Sequence, residues 1–353
     1  MNLDDWRSRI NNLDDEILKL LNQRGIAALR IGELKRQQDL PYFSPEREAQ
    51  VLDRLVALND GPLGADAIRV IWREILSASL ALEHPLPIAY LGPPGTFTHQ
   101  AATRRFGSSA QLLPVHTIAE IFDEVERGRA EYGVVPVENS TEGAVNVTLD
   151  RLIDSDVTIT GEMTLDISQH LISRATDLAG VKVVCSHPQG LAQCRAWLAA
   201  HLPEATTEET ASTSGAVERA RDDATVAAIA SDMAAAVHGV PILRPRIEDN
   251  PSNSTRFLVI GRTTVPPTGR DKTSILFSMK NEPGVLYSIL QPFATRGLNL
   301  TKIESRPTKR RPWEYVNFLD FEGHCETANV RDVLDEVRER CQFLKVLGSY
   351  PAV

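Results

Sequence analysis

Apolar residues recur at Leu3, Trp6, Ile10, Leu13, Ile17, Leu20, Ala27, Ile31 and Leu34, in alternating steps of three and four. That period is an amphipathic helix. It runs from about residue 2 to residue 38, roughly 55 Å at 1.5 Å per residue. So long a helix in a segment that ends near residue 85 cannot bury its stripe within one chain. It needs a partner, most simply a second copy. The step due an apolar residue at 24 carries Arg24. Alone, such a side chain is read as snorkelling or pairing with a carboxylate, because arginine is rarely buried unpaired. Its surroundings extend that reading. Lys35 lies three turns on, on nearly the same face. Arg47 and Glu48 open a second helix after the cap-and-proline pair Ser44-Pro45. Ser79 and Glu83 stand at i, i+4 near the end of a third. Cations, a hydroxyl and carboxylates can therefore converge inside one bundle.

Two breaks divide the chain. His84-Pro85-Leu86-Pro87 ends the helical region, since paired prolines cannot continue a helix. Thr263 to Lys272 is a polar Pro/Gly linker. The expected segments are 1–85, 86–264 and 270–353. The first is all helix: about 2–38, from Pro45 to near Gly61, and Ala65 to Glu83. The second alternates strands at Ile88–Leu91, Tyr132–Val137, Val181–Cys185 and Val226–Ala230 with helices after Thr96, from about Val145, over Pro188–Ala200 and over Ser231–Val237. This is an α/β pattern, and its two groups of units suggest two lobes with a cleft between them. The third reads βαββαβ, a ferredoxin-like unit. Its strands are placed at Ser274–Lys280, Asn299–Arg306, Trp313–Glu322 and Phe343–Tyr350, its helices at Val285–Arg296 and Ala328–Arg340.

Composition narrows the function classes. The net charge is −9 with no long basic face, so no nucleic-acid partner is expected. The run Lys309-Arg310-Arg311 before Pro312 is read as a solvated loop. The acidic, amphipathic N-terminus resembles neither a signal nor a transit peptide, and no apolar window reaches a membrane span. Cys185, Cys194, Cys325 and Cys341 are scattered, without a CxxC, as reduced thiols of a cytoplasmic protein. The histidines show no ligand-like pairing, so neither metal nor other cofactor is expected.

Three polar runs mark the middle segment. Gly92-Pro93-Pro94-Gly95-Thr96-Phe97-Thr98 is a strand–turn–helix start but neither GxGxxG nor a Walker loop. It can cradle a carboxylate on backbone N–H groups or serve as a capping turn. Val137-Glu138-Asn139-Ser140-Thr141-Glu142-Gly143 follows a buried strand, where α/β folds place ligands. Asn253-Ser254-Thr255-Arg256-Phe257 leads abruptly into the apolar Leu258–Ile260.

The helical segment resembles the all-helical class of chorismate mutase. The match rests on Trp6 to Asp14, Gln23-Arg24, Gly32-Glu33-Leu34-Lys35 and Pro45-Glu46-Arg47-Glu48. The resemblance implies that Arg7, Arg24, Lys35, Arg47, Glu48, Ser79 and Glu83 contact chorismate. The rearrangement to prephenate is concerted and needs no nucleophile. Arginine forks suit the two substrate carboxylates, and a donor on the breaking ether oxygen acts mainly in the transition state. Lys35 is the leading candidate for that donor. Ser44 stands where some relatives carry Asp, and Glu83 where others carry Gln; as a neutral acid, Glu83 can also donate to the ether oxygen. Spacing adds an independent constraint. Arg7 and Arg24 lie about 26 Å apart along one helix, too far to hold one chorismate. If both are used, Arg7 reaches into a partner's site.

The middle segment resembles prephenate dehydratase. The three runs occur in order, joined by Ser186-His187-Pro188-Gln189, Leu191-Ala192-Gln193-Cys194 and Ile247-Glu248-Asp249. The resemblance implies a two-lobed, periplasmic-binding-protein-like fold and an essential Thr255. This hydroxyl would serve the departing hydroxide, with help from neighbours because it is a weak acid. Thr96, Glu138, Asn139, Ser140, Ser186, Gln193 and Phe257 would line the cleft and Arg256 anchor a substrate carboxylate. Ala211 stands near a position where some relatives have Glu, and His187 is read as structural. The third segment resembles an ACT domain through Pro283-Gly284-Val285-Leu286 and Ile303-Glu304-Ser305-Arg306-Pro307. That implies phenylalanine binding at Gly284, Val285, Leu286, Glu304, Ser305 and Arg306, between paired domains, with feedback inhibition. The expectation is a homodimer or larger assembly converting chorismate to prephenate and prephenate to phenylpyruvate. A ligand sensor with degraded catalysis, or a mutase fused to a dehydrogenase, are the alternatives. Thr255 and the helical cations argue against the first, the missing dinucleotide fingerprint against the second.

Overall fold

A computed structural model of the chain describes residues 2–38, 40–280, 282–307 and 315–352. The Lys309-Arg310-Arg311 run and the expected strand start at Trp313 lie outside these residues. The chain forms two compact units, one of residues 1–87 with 103–111, the other of 88–102 with 112–353.

The first unit is built on α1 (Leu3–Gln37), α2 (Pro45–Leu58) and α3 (Ala65–Glu83). Asn2 caps α1 in a reciprocal capping box with Asp5, and Ser44 caps α2 by accepting from the Arg47 N–H, with Pro45 in the first turn. Only Ala28 and Gly32 of α1 are buried. They lie on a small-residue face that meets α3 so closely that a Cβ on Gly32 would stand 3.0 Å from the Glu83 Cα. Arg24 sits one turn from Ala28 on this face. It keeps its place in the apolar stripe, between Leu20 and Ala27, beside this small-residue face. That stripe, from Leu3 through Trp6 and Ile10 to Leu20, is exposed in the chain, Leu3 by 65% and Leu20 by 63%.

The second unit holds three sheets. The first contains β1 (Pro87–Leu91), β2 (Gln111–Val115), β3 (Tyr132–Asn139), the short β4 (Gly143–Ala144) and β5 (Thr158–Asp166). The second contains β6 (His170–Ser173), β7 (Val183–Ser186), β8 (Thr206–Glu209), β9 (Val226–Ala230) and β10 (Ile242–Arg244), in the order β10-β6-β9-β7-β8. The next strand, β11 (Ser254–Gly261), returns to the first sheet, whose order is β2-β1-β3-β11-β5. Two chain crossings, β5 to β6 and β10 to β11, thus join two lobes. The expected helix over Pro188–Ala200 is two helices, Pro188–Gln193 and Arg195–His201, meeting at Cys194. All four cysteines are free, and burial pushes the Cys185 thiol up to about 11.

The third sheet comprises β12 (Asp271–Ser278), β13 (Leu300–Pro307), β14 (Tyr315–Glu322) and β15 (Phe343–Pro351), ordered β13-β14-β12-β15. Residues 271 and 272, read from sequence as linker, already belong to β12. Side chains alternate across a strand, and both faces of this sheet are covered. Ile275 and Phe277 pack with Phe293 and Val333 of the helices Val285–Thr295 and Ala328–Arg340. Leu276, Phe318, Leu347 and Tyr350 instead share one core with Ile121, Phe122, Leu149 and Ile159 of the first lobe. The sheet is thus a middle layer. Gly348 makes the approach possible, since a Cβ there would lie 2.1 Å from the Ile159 carbonyl oxygen.

In the first lobe, His99 stacks on buried Tyr90 with ring centroids 4.8 Å apart, and its Nδ1 accepts the Gly95 N–H at 2.9 Å. Burial holds the His99 pKa below its ordinary 6.5. Burial likewise lowers that of His170, whose Nδ1 accepts the Arg246 N–H.

Gly348→Ala should lower the thermal unfolding temperature by several degrees, because a backbone carbonyl blocks the new methyl and overpacking costs about 1–3 kcal/mol. An unchanged temperature would show that β15 does not sit directly on β5. The histidines give a pH dependence of definite sign. The unfolded chain takes up protons first, so their stabilisation is complete above about pH 6.5 and declines on acidification. The urea midpoint should fall between about pH 7 and about pH 5, and His99→Phe should flatten that slope. An unaltered slope in the variant would exclude His99 as a source.

Candidate active sites

The helical unit encloses a cavity of about 310 Å³. Arg24 enters from α1 and donates to the Ser79 hydroxyl, which in turn donates to the Ile75 carbonyl at 2.7 Å. Lys35 donates to Glu83 at 2.8 Å and to the Tyr42 carbonyl at 2.7 Å. Arg47, Glu48 and Ser44 complete the α2 wall. Burial lowers the Arg24 pKa from its ordinary value, with Glu83 opposing the shift. Six of the seven expected chorismate contacts thus face one space. The seventh does not: Arg7 is exposed near the start of α1 and bonded to Asp4 at 3.3 Å. Glu83 does not sit in an apolar setting but against the Lys35 ammonium.

Sequence reading missed three contributors here. Arg73 of α3 lines the cavity, and its buried Nε has no hydrogen-bond partner among the described residues. Phe106 also lines it, and Arg105 holds the Glu48 carboxylate at 2.6 Å. Both follow the proline break, where the helical segment appeared to have ended. No local signal places them in the bundle.

Between the two lobes lies a cavity of about 1070 Å³. Thr255 and Phe257 reach it from β11 and Asn139 from the end of β3, with Gln193 and Ala211 on the facing lobe. The Asn139 amide is fixed in orientation, because its oxygen accepts the N–H groups of Thr141 and Glu142. Its nitrogen therefore points at Thr255 and donates to the hydroxyl at 2.8 Å. A hydroxyl that accepts from an amide keeps its own proton for another acceptor. Among the described residues none is present for Thr255. Thr96 also lines the cavity, but its hydroxyl is used to cap the adjoining helix, donating to the Leu91 carbonyl at 2.8 Å and accepting the His99 N–H at 3.3 Å. His187, read as structural, caps a helix through Nδ1 and faces the cavity as well. Glu218 places a carboxylate on the wall that Ala211 leaves without one.

Four expected cleft residues point elsewhere. Glu138 precedes Asn139 on β3 and faces the opposite way, paired with Lys302 at 2.6 Å. Arg256 lies between Thr255 and Phe257 and is likewise reversed. Its guanidinium meets Glu162 at 2.6 Å and Asp320 at 2.7 Å. Ser186 is fully buried and donates to the Ile229 carbonyl. Ser140 braces the loop before β11, accepting the Ser254 N–H at 2.9 Å.

In the third sheet, Gly284 adopts φ 80°, a left-handed conformation suited to glycine, directly before the helix that Val285 and Leu286 begin. Glu304 and Ser305 stand on β13, where Ser305 donates to Asn317 at 2.6 Å. Arg306 does not present a free cation. It is buried against Asn146 and Asp150, the latter at 2.8 Å. Among the described residues no group of three His, Cys, Asp or Glu side chains could hold a metal ion, and no helix is long and apolar enough to cross a membrane.

Comparison with known proteins agrees with this division of chemistry. Three family models match: chorismate mutase type II over residues 6–84, prephenate dehydratase over 88–265 and the ACT domain over 273–339. The bifunctional chorismate mutase/prephenate dehydratase of Aquifex aeolicus is 49% identical, with 99% of this chain and 98% of that protein covered. Among solved structures, the prephenate dehydratase of Arthrobacter aurescens in complex with L-Phe is 34% identical with a TM-score of 0.69. The match covers 76% of this chain and 90% of that one. GqqA, described as a quorum quenching acylase, matches at 32% identity and the same TM-score, over 76% of this chain and 98% of its own. An alignment that spans both cavities and the third sheet at this identity leaves one assignment: the chain belongs to the bifunctional chorismate mutase/prephenate dehydratase family.

Proposed function

We propose that each reaction takes place in one of the two cavities. In the helical cavity Arg24 and Arg47 grip the substrate carboxylates. Lys35 leaves Glu83 to meet the ether oxygen as the C–O bond breaks and the new C–C bond forms. Glu48, kept in place by Arg105, accepts from the substrate hydroxyl. Arg7 comes from a second chain, whose α1 also covers the exposed stripe, so the working unit is a homodimer or larger.

In the interlobe cavity, prephenate loses its ring carboxylate as CO2. The electron pair of that C–C bond aromatises the ring and expels the hydroxyl, which leaves as water with a proton delivered through Thr255. The observation that carries this reading is the Asn139–Thr255 bond, which leaves the threonine proton as the one available for the leaving group. Gln193 and Phe257 line the place of the substrate. Phenylalanine binds the ACT domain near Gly284, Val285, Leu286, Glu304 and Ser305 and represses dehydration. The protein works in the cytoplasm.

Incubation with chorismate and no nicotinamide cofactor should yield phenylpyruvate. Arg24→Ala should abolish the mutase while dehydration of added prephenate continues. Thr255→Ala should accumulate prephenate from chorismate. Formation of phenylpyruvate from chorismate by Thr255→Ala would overturn the dehydratase assignment of that residue. The shared mutase site predicts complementation. Arg7→Ala and Arg24→Ala proteins, each inactive, should regain about a quarter of wild-type mutase activity after mixing and re-pairing, since half the dimers are mixed and each carries one intact site. No recovery would place Arg7 outside the site.

A further inference from the structure

The strand that presents Thr255 to the cavity presents Arg256 to its reverse side, and that side is built as a closed charge cluster. Arg256 donates to Glu162 on the neighbouring strand β5 at 2.7 Å, to Asp320 on β14 at 2.7 Å and to the Tyr350 hydroxyl on β15 at 3.1 Å. Lys272 of β12 takes the other Glu162 oxygen, and Ser274 donates to Asp320 at 2.6 Å. Tyr350 is fully buried, and Glu162 and Asp320 are 7% and 6% exposed. Two cations face two carboxylates, so the cluster is neutral, and every Arg256 nitrogen is directed at a named acceptor. Burial alone would lower the Arg256 pKa, but Asp320, Tyr350 and Glu162 together raise it above the ordinary arginine value.

Such a cluster is a weak source of net stability, because desolvating the charges offsets their attraction. What it fixes is geometry. A planar guanidinium with three directional partners holds the backbone on either side of residue 256. The pairing of β11 with β3 shifts register between Arg256 and Phe257, beside the site, where an irregular ladder leaves the backbone less constrained.

We propose that Arg256 is a positioning residue for dehydration, through which Asp320 and Tyr350 of the ACT sheet hold the Thr255 hydroxyl in register with Asn139 and the substrate. The inference rests on the reading of Thr255 given above. Because two of the three partners belong to the ACT sheet, their placement bears on residue 256 and, through the strand, on its neighbour. Among the described residues no ACT side chain lines the cavity, so the proposed influence runs through the strand.

The test uses the full-length protein supplied with prephenate. Tyr350→Phe deletes one hydroxyl and preserves packing; Asp320→Asn deletes one charge. Both should lower the dehydratase kcat, the second by about tenfold or more, with KM for prephenate nearly unchanged and mutase activity intact. Arg256→Lys should retain more of the kcat than Arg256→Met. Should Asp320→Asn fail to fold, Tyr350→Phe still decides. Unchanged kcat in folded Tyr350→Phe and Asp320→Asn proteins would overturn the proposal. So would Arg256→Met raising KM at constant kcat, since that marks a direct substrate contact. Thr255→Ala, run alongside, separates the two claims: full activity there removes the underlying reading, whereas its loss beside unaffected Tyr350→Phe and Asp320→Asn removes only the positioning role.

Discussion

One strand carries most of the dehydratase half of the molecule. After forming the second lobe, the chain returns as β11 and inserts between β3 and β5, antiparallel to both. This late insertion closes the first sheet and fixes one of the two crossings between lobes. It also fixes Thr255 opposite Asn139 in the ladder. Strand alternation then does two things at once. It sends Thr255 and Phe257 into the interlobe cavity and Arg256 into the charge cluster on the reverse side. Catalytic placement and attachment of the third sheet are consequences of a single register, so a slip of one residue would exchange them.

The third sheet is accordingly not a tethered appendage. Its inner face shares a hydrophobic core with the first lobe, from Ile121 and Leu149 to Phe318 and Tyr350. Lys302 and Arg306 pin β13 to Glu138 and Asp150 of the first lobe. A buried apolar interface of this kind resists sliding, since packed interiors respond to displacement as close-packed solids. The sheet and the first lobe are then expected to move together, and the freedom that remains lies in the two crossings to the second lobe.

The helices were legible because their signals are local. Ser44-Pro45 announced α2, and the third helix begins and ends where its pattern does. The strand Val226–Ala230 was legible as a short apolar run between turn signals. Many of the motif residues do line the two cavities. What sequence could not give was the direction of each side chain. Glu138 and Asn139 are adjacent in one motif, as are Thr255 and Arg256, yet one of each pair faces the interlobe cavity and the other faces the third sheet. Resolving this requires knowing which face of the strand is covered, and by what. The extent of the long helix was legible, but the face it packs on α3 was not. Large apolar residues drew the eye to a stripe that lies exposed in the chain. The face that packs on α3 is made of Gly25, Ala28 and Gly32, which carry little hydrophobic signal. Arg105 and Phe106 were invisible for a third reason: their contacts with α2 and its cavity join positions some 57 residues apart in sequence.

The charges around the helical cavity do not balance. Arg24, Lys35, Arg47 and Arg73 line it against Glu48 and Glu83, which leaves a surplus of two positive charges in a partly desolvated space. Arg105 widens that imbalance by pairing with Glu48 from behind. A folded chain does not ordinarily keep such an excess, because each unpaired buried charge is costly. Burial lowers the pKa of Arg24, and burial, reinforced by Arg105, Arg104 and Arg69 and opposed by Glu48, lowers that of Arg73. A dianion would balance that surplus. Charge balance of this kind asks for no nucleophile, consistent with a rearrangement that needs its substrate held compactly and its developing charge met by a fixed donor.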